Sequence, residues 1–273
     1  MPSFQNKTIF ITGASRGIGK AIALRLAKEG ANIVVAAKTV EEDPRLGGTI
    51  YSAAKEIEAA GGKALPVQLD VRNEEQIKKA LEKAVETFGG IDILVNNASA
   101  IQLSNTEQTE AKRFDLMFDV NVRGTFLVTR YCIPYLKKSS NPHILTLSPP
   151  INLDEKWLNN HVAYTMSKYN MTMMAIAWAS ELKKYNIASN ALWPATTIAT
   201  AAIKNLLGGE TLVKMSRKPE IMADAAFHIL GKASAVYTGN TLIDEKVLKA
   251  ECITDLNPYS ITPGGELYPD LFL

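Results

Sequence analysis

The amino-acid sequence predicts an α/β fold: a single domain built on a doubly wound, seven-stranded parallel sheet with helices on both faces. Three observations lead there. Short apolar runs bounded by turn residues alternate with longer stretches, the pattern of repeated βαβ units. In the longer stretches apolar residues recur every three or four positions, as on the buried face of a helix. At 273 residues the chain is long enough to bury a full core within one large α/β domain.

In chain order, the first strand is expected at 8–11 and its helix at 17–29, where Ile18, Ile22 and Leu26 share one face. The second strand is placed at 32–37. Pro44, Gly47 and Gly48 then mark 39–48 as a surface loop. A helix at 49–60, a strand at 64–69, a helix at 74–88 and a strand at 93–96 follow. The long periodic stretch 109–136 reads as one helix, and 143–147 as the fifth strand. Helices at 162–185 and 219–231 and strands at 188–192 and 240–243 complete the set. The connection 149–161, with Trp157, and a helical excursion at 195–209 ending in glycines both follow strand ends, where they could wall a cleft. The domain is read as 1–273, with its core at 6–244 and a tail at 245–273 packed on its surface. That tail carries Pro258, Pro263, Gly264, Gly265 and Pro269.

Composition excludes several classes. A 47% hydrophobic and 21% charged chain with net charge +2 is ordinary for a globular protein, and the interleaved charges argue against a nucleic-acid partner. Cys132 and Cys252 lie far apart, which suits a reducing compartment better than a disulfide framework, and both are expected to pack as small hydrophobes. With no secretory leader and no membrane span read in the sequence, the cytoplasm is the expected location. His143, His161 and His228 show no ligand spacing, so no metal site is expected.

The chemistry begins at TGASRGIG, 12–19, between the first strand and an amphipathic helix. That order sets a phosphate against a helix N-terminus. Gly13 allows the sharp turn, Gly17 lets backbone approach a pyrophosphate, and Gly19 allows helix to pack closely on strand. Ser15, Arg16 and Ile18 complete the candidate contacts. The spacing is GxxxGxG, not the common GxGxxG dinucleotide fingerprint, and it is the placement after the first strand and ahead of repeated βαβ units that leads to the expectation of a nicotinamide dinucleotide. Its second strand ends in Ala36, Ala37, Lys38, with no acid to bind a ribose diol. Lys38 and Arg16 offer two cations for a 2′-phosphate, so NADP(H) is the expected cofactor.

Tyr164 and Lys168, four positions apart on a helix, project from one face. A phenol is a weak acid, and a neighbouring ammonium is expected to lower its pKa toward the proton-transfer range.

Taken together, TGASRGIG, Asp70, NNAS at 96–99, Asn121 and the Tyr164/Lys168 pair resemble the short-chain dehydrogenase/reductase family, from the first strand to Asp244. The resemblance implies a Rossmann-like fold in which Asp70 and Val71 contact adenine and Asn97 lies along the cofactor. It implies that Asn121 supports a water and proton relay to Lys168, which also holds the cofactor ribose; a helix kink at Asn121 is compatible with that role. Tyr164 would exchange a proton with a small-molecule carbonyl or alcohol as hydride moves at the nicotinamide. It further implies pairing of the two long helices between subunits, as a homodimer or homotetramer.

The chain departs from the family pattern after the fifth strand. A serine that binds the substrate oxygen is usual there, and this chain reads Leu147, Ser148, Pro149, Pro150, with Pro149 nearest that place. Ser148 serves if the Pro-Pro turn aims it inward; otherwise another group polarises the carbonyl, or activity is weak. Ser99 and Ala195 replace family glycines, and Thr197 or Thr200 is a candidate for the cofactor carboxamide or phosphate. Met171 and Trp157 either pack in the core or face an apolar substrate, and His161 either joins a relay or holds a loop. Three functions remain open: an NADP(H)-dependent oxidoreductase on a moderately apolar substrate, a cofactor-binding protein with little turnover, and a dinucleotide-assisted isomerase or dehydratase.

Overall fold

Seven apolar segments pair as β1 (Thr8–Thr12), β2 (Asn32–Ala37), β3 (Lys63–Gln68), β4 (Ile93–Asn96), β5 (His143–Leu147), β6 (Ala188–Trp193) and β7 (Thr241–Ile243). The structure is a computed structural model that describes residues 3–44 and 46–273, apart from the side chains of Leu206 and Leu207. The strands run in the order β3-β2-β1-β4-β5-β6-β7, and every pairing is parallel. Strand order reverses between β1 and β4, which pair Ile9 with Ile93 and Ile11 with Val95. At such a reversal the flanking connections leave to opposite faces and open a crevice at the carboxyl ends of the strands.

Alternate residues of the central strands feed two cores. Ile9, Ile11, Ile33, Val35 and Val95 meet Ile22 and Leu26 of α1 (Gly17–Ala27) and Ile221 and Phe227 of α9 (Glu220–Leu230). On the other face Phe10, Val34, Leu94 and Ile144 meet Ile77 and Leu81 of α3 (Glu74–Phe88), with Val128, Cys132 and Leu136 of α5 (Thr125–Leu136). Each fully buried aliphatic side chain contributes on the order of 1.5–3 kcal/mol, so the two layers fix the sheet between them. The second helix, α2 (Ile50–Ala59), begins at Thr49, whose Oγ1 accepts the Ser52 N–H while Ser52 Oγ accepts the Thr49 N–H.

Four expectations need correction. The stretch 109–136 is not one α-helix: α4 (Ala111–Met117) and α5 are joined by a π-helical turn, Phe118–Gly124. Val71 packs there against Gly124, where an added Cβ would lie 2.7 Å from its Cγ2. The excursion after β6 does not end at its glycines. A turn at Ile203–Leu207 runs through Gly208 into α8 (Gly209–Lys214). Cys132 is buried as expected, but Cys252 is exposed. Finally, the tail does more than lie on the surface: it forms α10 (Asp244–Ala250), 261–266, Tyr268 and Pro269 stay exposed, and its end carries Phe272 into the interior beside β6. Elsewhere, α6 (Glu155–Leu158) is a single turn within 149–161, and α7 (Val162–Glu181) is followed by a 3₁₀ turn, Lys183–Tyr185.

Candidate active site

From β1 the chain turns through Gly13 and Gly17, at φ +68° and +57°, a region that favours glycine. No side chain caps the start of α1 and no acid lies in its first turn. Its first N–H groups therefore have no side-chain partner within the helix start, the condition under which a helix N-terminus can receive an anion. Asn97, just past β4, reaches across the sheet reversal. Its Nδ2 donates to Thr12 O at 2.8 Å and Gly13 O at 3.0 Å, while Thr12 Oγ1 accepts the N–H groups of Asn97 and Ala98. A Cβ on Gly19 would stand 2.4 Å from that Nδ2. Gly19 thus leaves room for the Asn97 amide, beyond the helix-on-strand packing its spacing suggests.

Thr39, Gly47 and Gly48 of the loop after β2 are docked on this turn. Arg16 Nε donates to Gly47 O at 2.9 Å, and its Nη2 donates to Thr39 Oγ1 at 2.7 Å and Gly48 O at 3.2 Å. A Cβ on Gly48 would meet the carbonyl oxygen of Ser15 at 2.6 Å. Burial lowers the Arg16 pKa, with Asp43 acting against the shift. Lys38 is exposed at the end of β2. Beside it, Asp70 takes a two-point ion pair from Arg72, with Nη2 to Oδ2 at 2.6 Å. That hydrogen bonding holds the carboxyl below its ordinary range, and Lys38 adds to the effect.

Tyr164 and Lys168 of α7 are almost wholly buried and line a cavity of about 610 Å³. Ile18, Asn97 and Ser99 line it from the glycine-turn side, and Trp193, Thr197 and Thr200 from the end of β6. Lys168 Nζ donates to Leu147 O at 2.6 Å, lies 3.4 Å from Met171 Sδ and sits 5.1 Å from the Trp193 ring centroid. Burial pulls the Lys168 pKa down to about 7, with Asp270 resisting. The Tyr164 phenol is pushed up, first by burial and then by the negative charge of Asp270. The expected lowering of Tyr164 by Lys168 is therefore reversed in this environment. Desolvation acts on both groups against their charged forms.

Asn121 lies in the π-helical turn with no exposure. Its Oδ1 accepts the Ala100 N–H at 2.7 Å, and its Nδ2 donates to Ala100 O and Ser167 Oγ, each at 2.9 Å. Ser167 Oγ in turn donates to Tyr164 O at 2.8 Å. The carboxamide thus ties the segment after β4 to the helix of the Tyr-Lys pair, with no direct bond to Lys168. Ser148 is buried, its Oγ has no hydrogen-bond partner, and it is not among the residues lining the cavity. Pro149 O accepts from Thr172 Oγ1 at 2.6 Å, which anchors this turn onto α7. Met171 and Trp157 also lie outside the cavity lining, as does His161, whose Nδ1 bonds Thr165 Oγ1 at 2.8 Å. Among the described residues no cluster of three or more His, Cys, Asp or Glu side chains could hold a metal ion.

One wall has no counterpart in the sequence reading. Tyr268, Pro269, Asp270 and Leu271 line the cavity, and Phe272 is wholly buried. The Phe272 ring packs against those of Trp157, His161, Tyr164, Tyr169 and Trp193, with centroids 5.3 to 6.2 Å away. Backbone bonds tie this strap down: Thr197 N to Tyr268 O, Tyr268 N to Met215 O and Asp270 N to Ala195 O. Burial pushes Asp270 up to about 7; the Leu271 N–H draws it back, Asp244 adds to the rise and Lys168 opposes it. Its sequence signal is slight, one acid between Pro269 and three apolar residues.

A model of the short chain dehydrogenase family matches residues 7–209. Hydroxysteroid dehydrogenase-like protein 2 of Xenopus laevis is 61% identical over 266 residues, covering 97% of this chain and 63% of that protein. The Homo sapiens protein of the same name is 58% identical, with the same coverage. The chain thus spans about 63% of the length of these curated relatives. Among solved structures, a short chain dehydrogenase from Mycobacterium thermoresistibile superposes with a TM-score of 0.94 at 55% identity, covering 99% of this chain and 96% of its own. NADH-dependent reductase A1-R′, complexed with NAD, gives a TM-score of 0.71 at 25% identity over 88% of this chain and 95% of its own.

Proposed function

Because the chain belongs to the short-chain dehydrogenase family, we propose that it interconverts a carbonyl and an alcohol on a moderately apolar small molecule, with NADP(H) as hydride partner. The observation that carries this reading is one cavity that joins the glycine-turn side, at Ile18 and Asn97, to Tyr164 and Lys168. The turn suits a dinucleotide. Gly13 and Gly17 adopt left-handed backbone, Gly19 has no room for a Cβ, and the first N–H groups of α1 lack side-chain partners.

Gly13, Ser15, Gly17, Ile18 and Gly19 would cradle the pyrophosphate, Asp70 and Val71 the adenine, and Asn97 and Lys168 the nicotinamide half. Lys38 and Arg16 favour a 2′-phosphate, since β2 ends without an acid. The bound nicotinamide supplies or accepts hydride at the substrate carbon. Tyr164 Oη gives the substrate oxygen its proton in reduction and takes it back in oxidation. Lys168, held by Leu147 O, stands one helical turn away on the same face, and the Asn121 carboxamide positions that helix. The largely apolar cavity walls favour substrates with modest polarity.

The test is NADPH oxidation against a panel of ketones. Tyr164→Phe is expected to lower kcat by about 10²–10⁴-fold while NADPH still quenches protein fluorescence saturably. Undiminished turnover by that variant would remove the proposal. In the same assay Lys38→Asp should shift preference toward NADH, and an unchanged preference would refute the role of Lys38. The position of Ser148 outside the cavity favours one second reading, a dinucleotide-binding protein with little turnover. Tight NADPH binding with no conversion of any ketone would select it.

A further inference from the structure

Deepening this oxidoreductase reading, on which the assignment rests, we propose that Asp270 is the second hydrogen-bonding partner of the substrate's reacting oxygen. Lining the same cavity as Tyr164, it takes the part that the turn after β5 does not fill.

Placement is the first argument. Lys168 and Asp270 are the charged residues among those lining the cavity, and Tyr164 lines it with them. The surrounding walls include the apolar Ile101, Leu103, Leu212 and Met215, and among the uncharged polar side chains there Asn97 and Thr197 are already bonded to Thr12 O and Ser216 Oγ. Ser148 lies outside that lining with its hydroxyl buried, and Pro149 has no N–H to give. Asp270 is thus the carboxyl among the described lining residues, able to meet a polar oxygen held beside Tyr164 as donor or as acceptor.

Orientation is the second. The Asp270 N–H donates to Ala195 O at 3.1 Å, and its Oδ1 accepts the Leu271 N–H at 2.7 Å. Leu271 O accepts from Trp193 Nε1 at 2.9 Å, and Phe272 is plugged among the aromatic rings. The carboxyl is therefore fixed from both sides, while Oδ2 has no hydrogen-bond partner among the described residues. Preorganisation of this kind makes a donor effective without reorganisation during the reaction.

Its protonation suits the role. The titratable groups whose charges couple to it are Lys168 and Tyr164 on α7 and Asp244 at the start of α10. Burial raises its pKa to about 7, so acid and carboxylate forms are both accessible near neutrality. As the acid, Oδ2–H donates to a carbonyl oxygen; as the carboxylate, it accepts from an alcohol. In reduction the carbonyl carbon receives hydride from a reduced nicotinamide dinucleotide, the C=O π pair moves to oxygen, and that oxygen takes the Tyr164 proton. Asp270 keeps its own proton throughout.

The test compares Asp270→Ala, Asp270→Asn, Ser148→Ala and Tyr164→Phe in NADPH-dependent ketone reduction across mildly acidic to mildly alkaline pH. Asp270→Ala should lower kcat about 10²–10³-fold. Asp270→Asn keeps a donor of the same shape, and should restore kcat to within about tenfold of wild type while losing the alkaline fall of the profile near neutrality. Wild-type kcat and pH profile in Asp270→Ala overturn the assignment, as does a loss confined to Ser148→Ala. Undiminished turnover in Tyr164→Phe instead sinks the oxidoreductase reading itself. Should no ketone turn over, infrared difference spectra against Asp270→Asn provide the second measurement. With NADP⁺ and a long-chain methyl ketone added, the Asp270 carboxylic-acid band should shift to lower frequency, and an unmoved band overturns the proposal.

Discussion

Asn97 shows how one carboxamide organises a crevice. Its Nδ2 spans the sheet reversal to the carbonyls of Thr12 and Gly13, and Gly19 supplies the space. Gly19→Ala would put a methyl 2.4 Å from Nδ2 and 2.8 Å from Gly13 O, where the backbone cannot give way. The amide must then swing out, losing both bonds and leaving the carbonyls beneath it exposed to a poorer environment. We expect a loss of about 1–3 kcal/mol in urea denaturation and at least about tenfold weaker NADPH binding by fluorescence titration. Unchanged stability and affinity would show that the Asn97 amide has slack the geometry does not display. The glycine spacing was legible in the sequence. That Gly19 serves a side chain from another strand was not, because the contact depends on how β4 lies beside β1.

At the scale of elements, the strap after α10 is held by two kinds of force. Backbone bonds join it to 195–215, and the Phe272 ring fills an aromatic pocket beside Tyr164. Phe272→Ala removes the ring and leaves the backbone bonds to hold Asp270 in place. Amide hydrogen exchange should then quicken in 262–273 and at Thr197, while the amides of β1 and β4 stay protected. Equal loss of protection in those strands would show that the strap unfolds only with the whole sheet. Strands and long helices could be read from the sequence because each carries its own periodicity, as Ile18, Ile22 and Leu26 do. The strap carries none: Pro263, Gly264, Gly265 and Pro269 look like an irregular tail, and its placement follows from contacts with Trp193 and Tyr164 far away in sequence. The same reason hid Asp270. The π-helical turn at Asn121 was hidden differently, since one extra residue in a turn leaves the apolar repeat almost intact.

For the molecule as a whole, the face formed by α4, α5 and α7 remains to be accounted for. Phe114, Phe126, Met166, Met173 and Ile176 are exposed there, although helices of a monomer ordinarily turn such side chains inward. The π-helical turn packs on α7, so these residues stand on neighbouring elements. We propose that this surface joins copies of the chain, as a homodimer or homotetramer. Burying it would add apolar contact next to the helix that carries Tyr164 and Lys168, and would stiffen the segment held by Asn121. Sedimentation velocity at micromolar concentration should give a dimer or tetramer for the wild-type chain. The double variant Met173→Glu, Ile176→Glu should sediment as a smaller species with its far-ultraviolet dichroism retained, because a carboxylate at a buried apolar interface must be desolvated without a partner. A wild-type chain that sediments as a monomer, or a double variant whose assembly is unaltered, would return this face to solvent and leave the active site to be held within one chain.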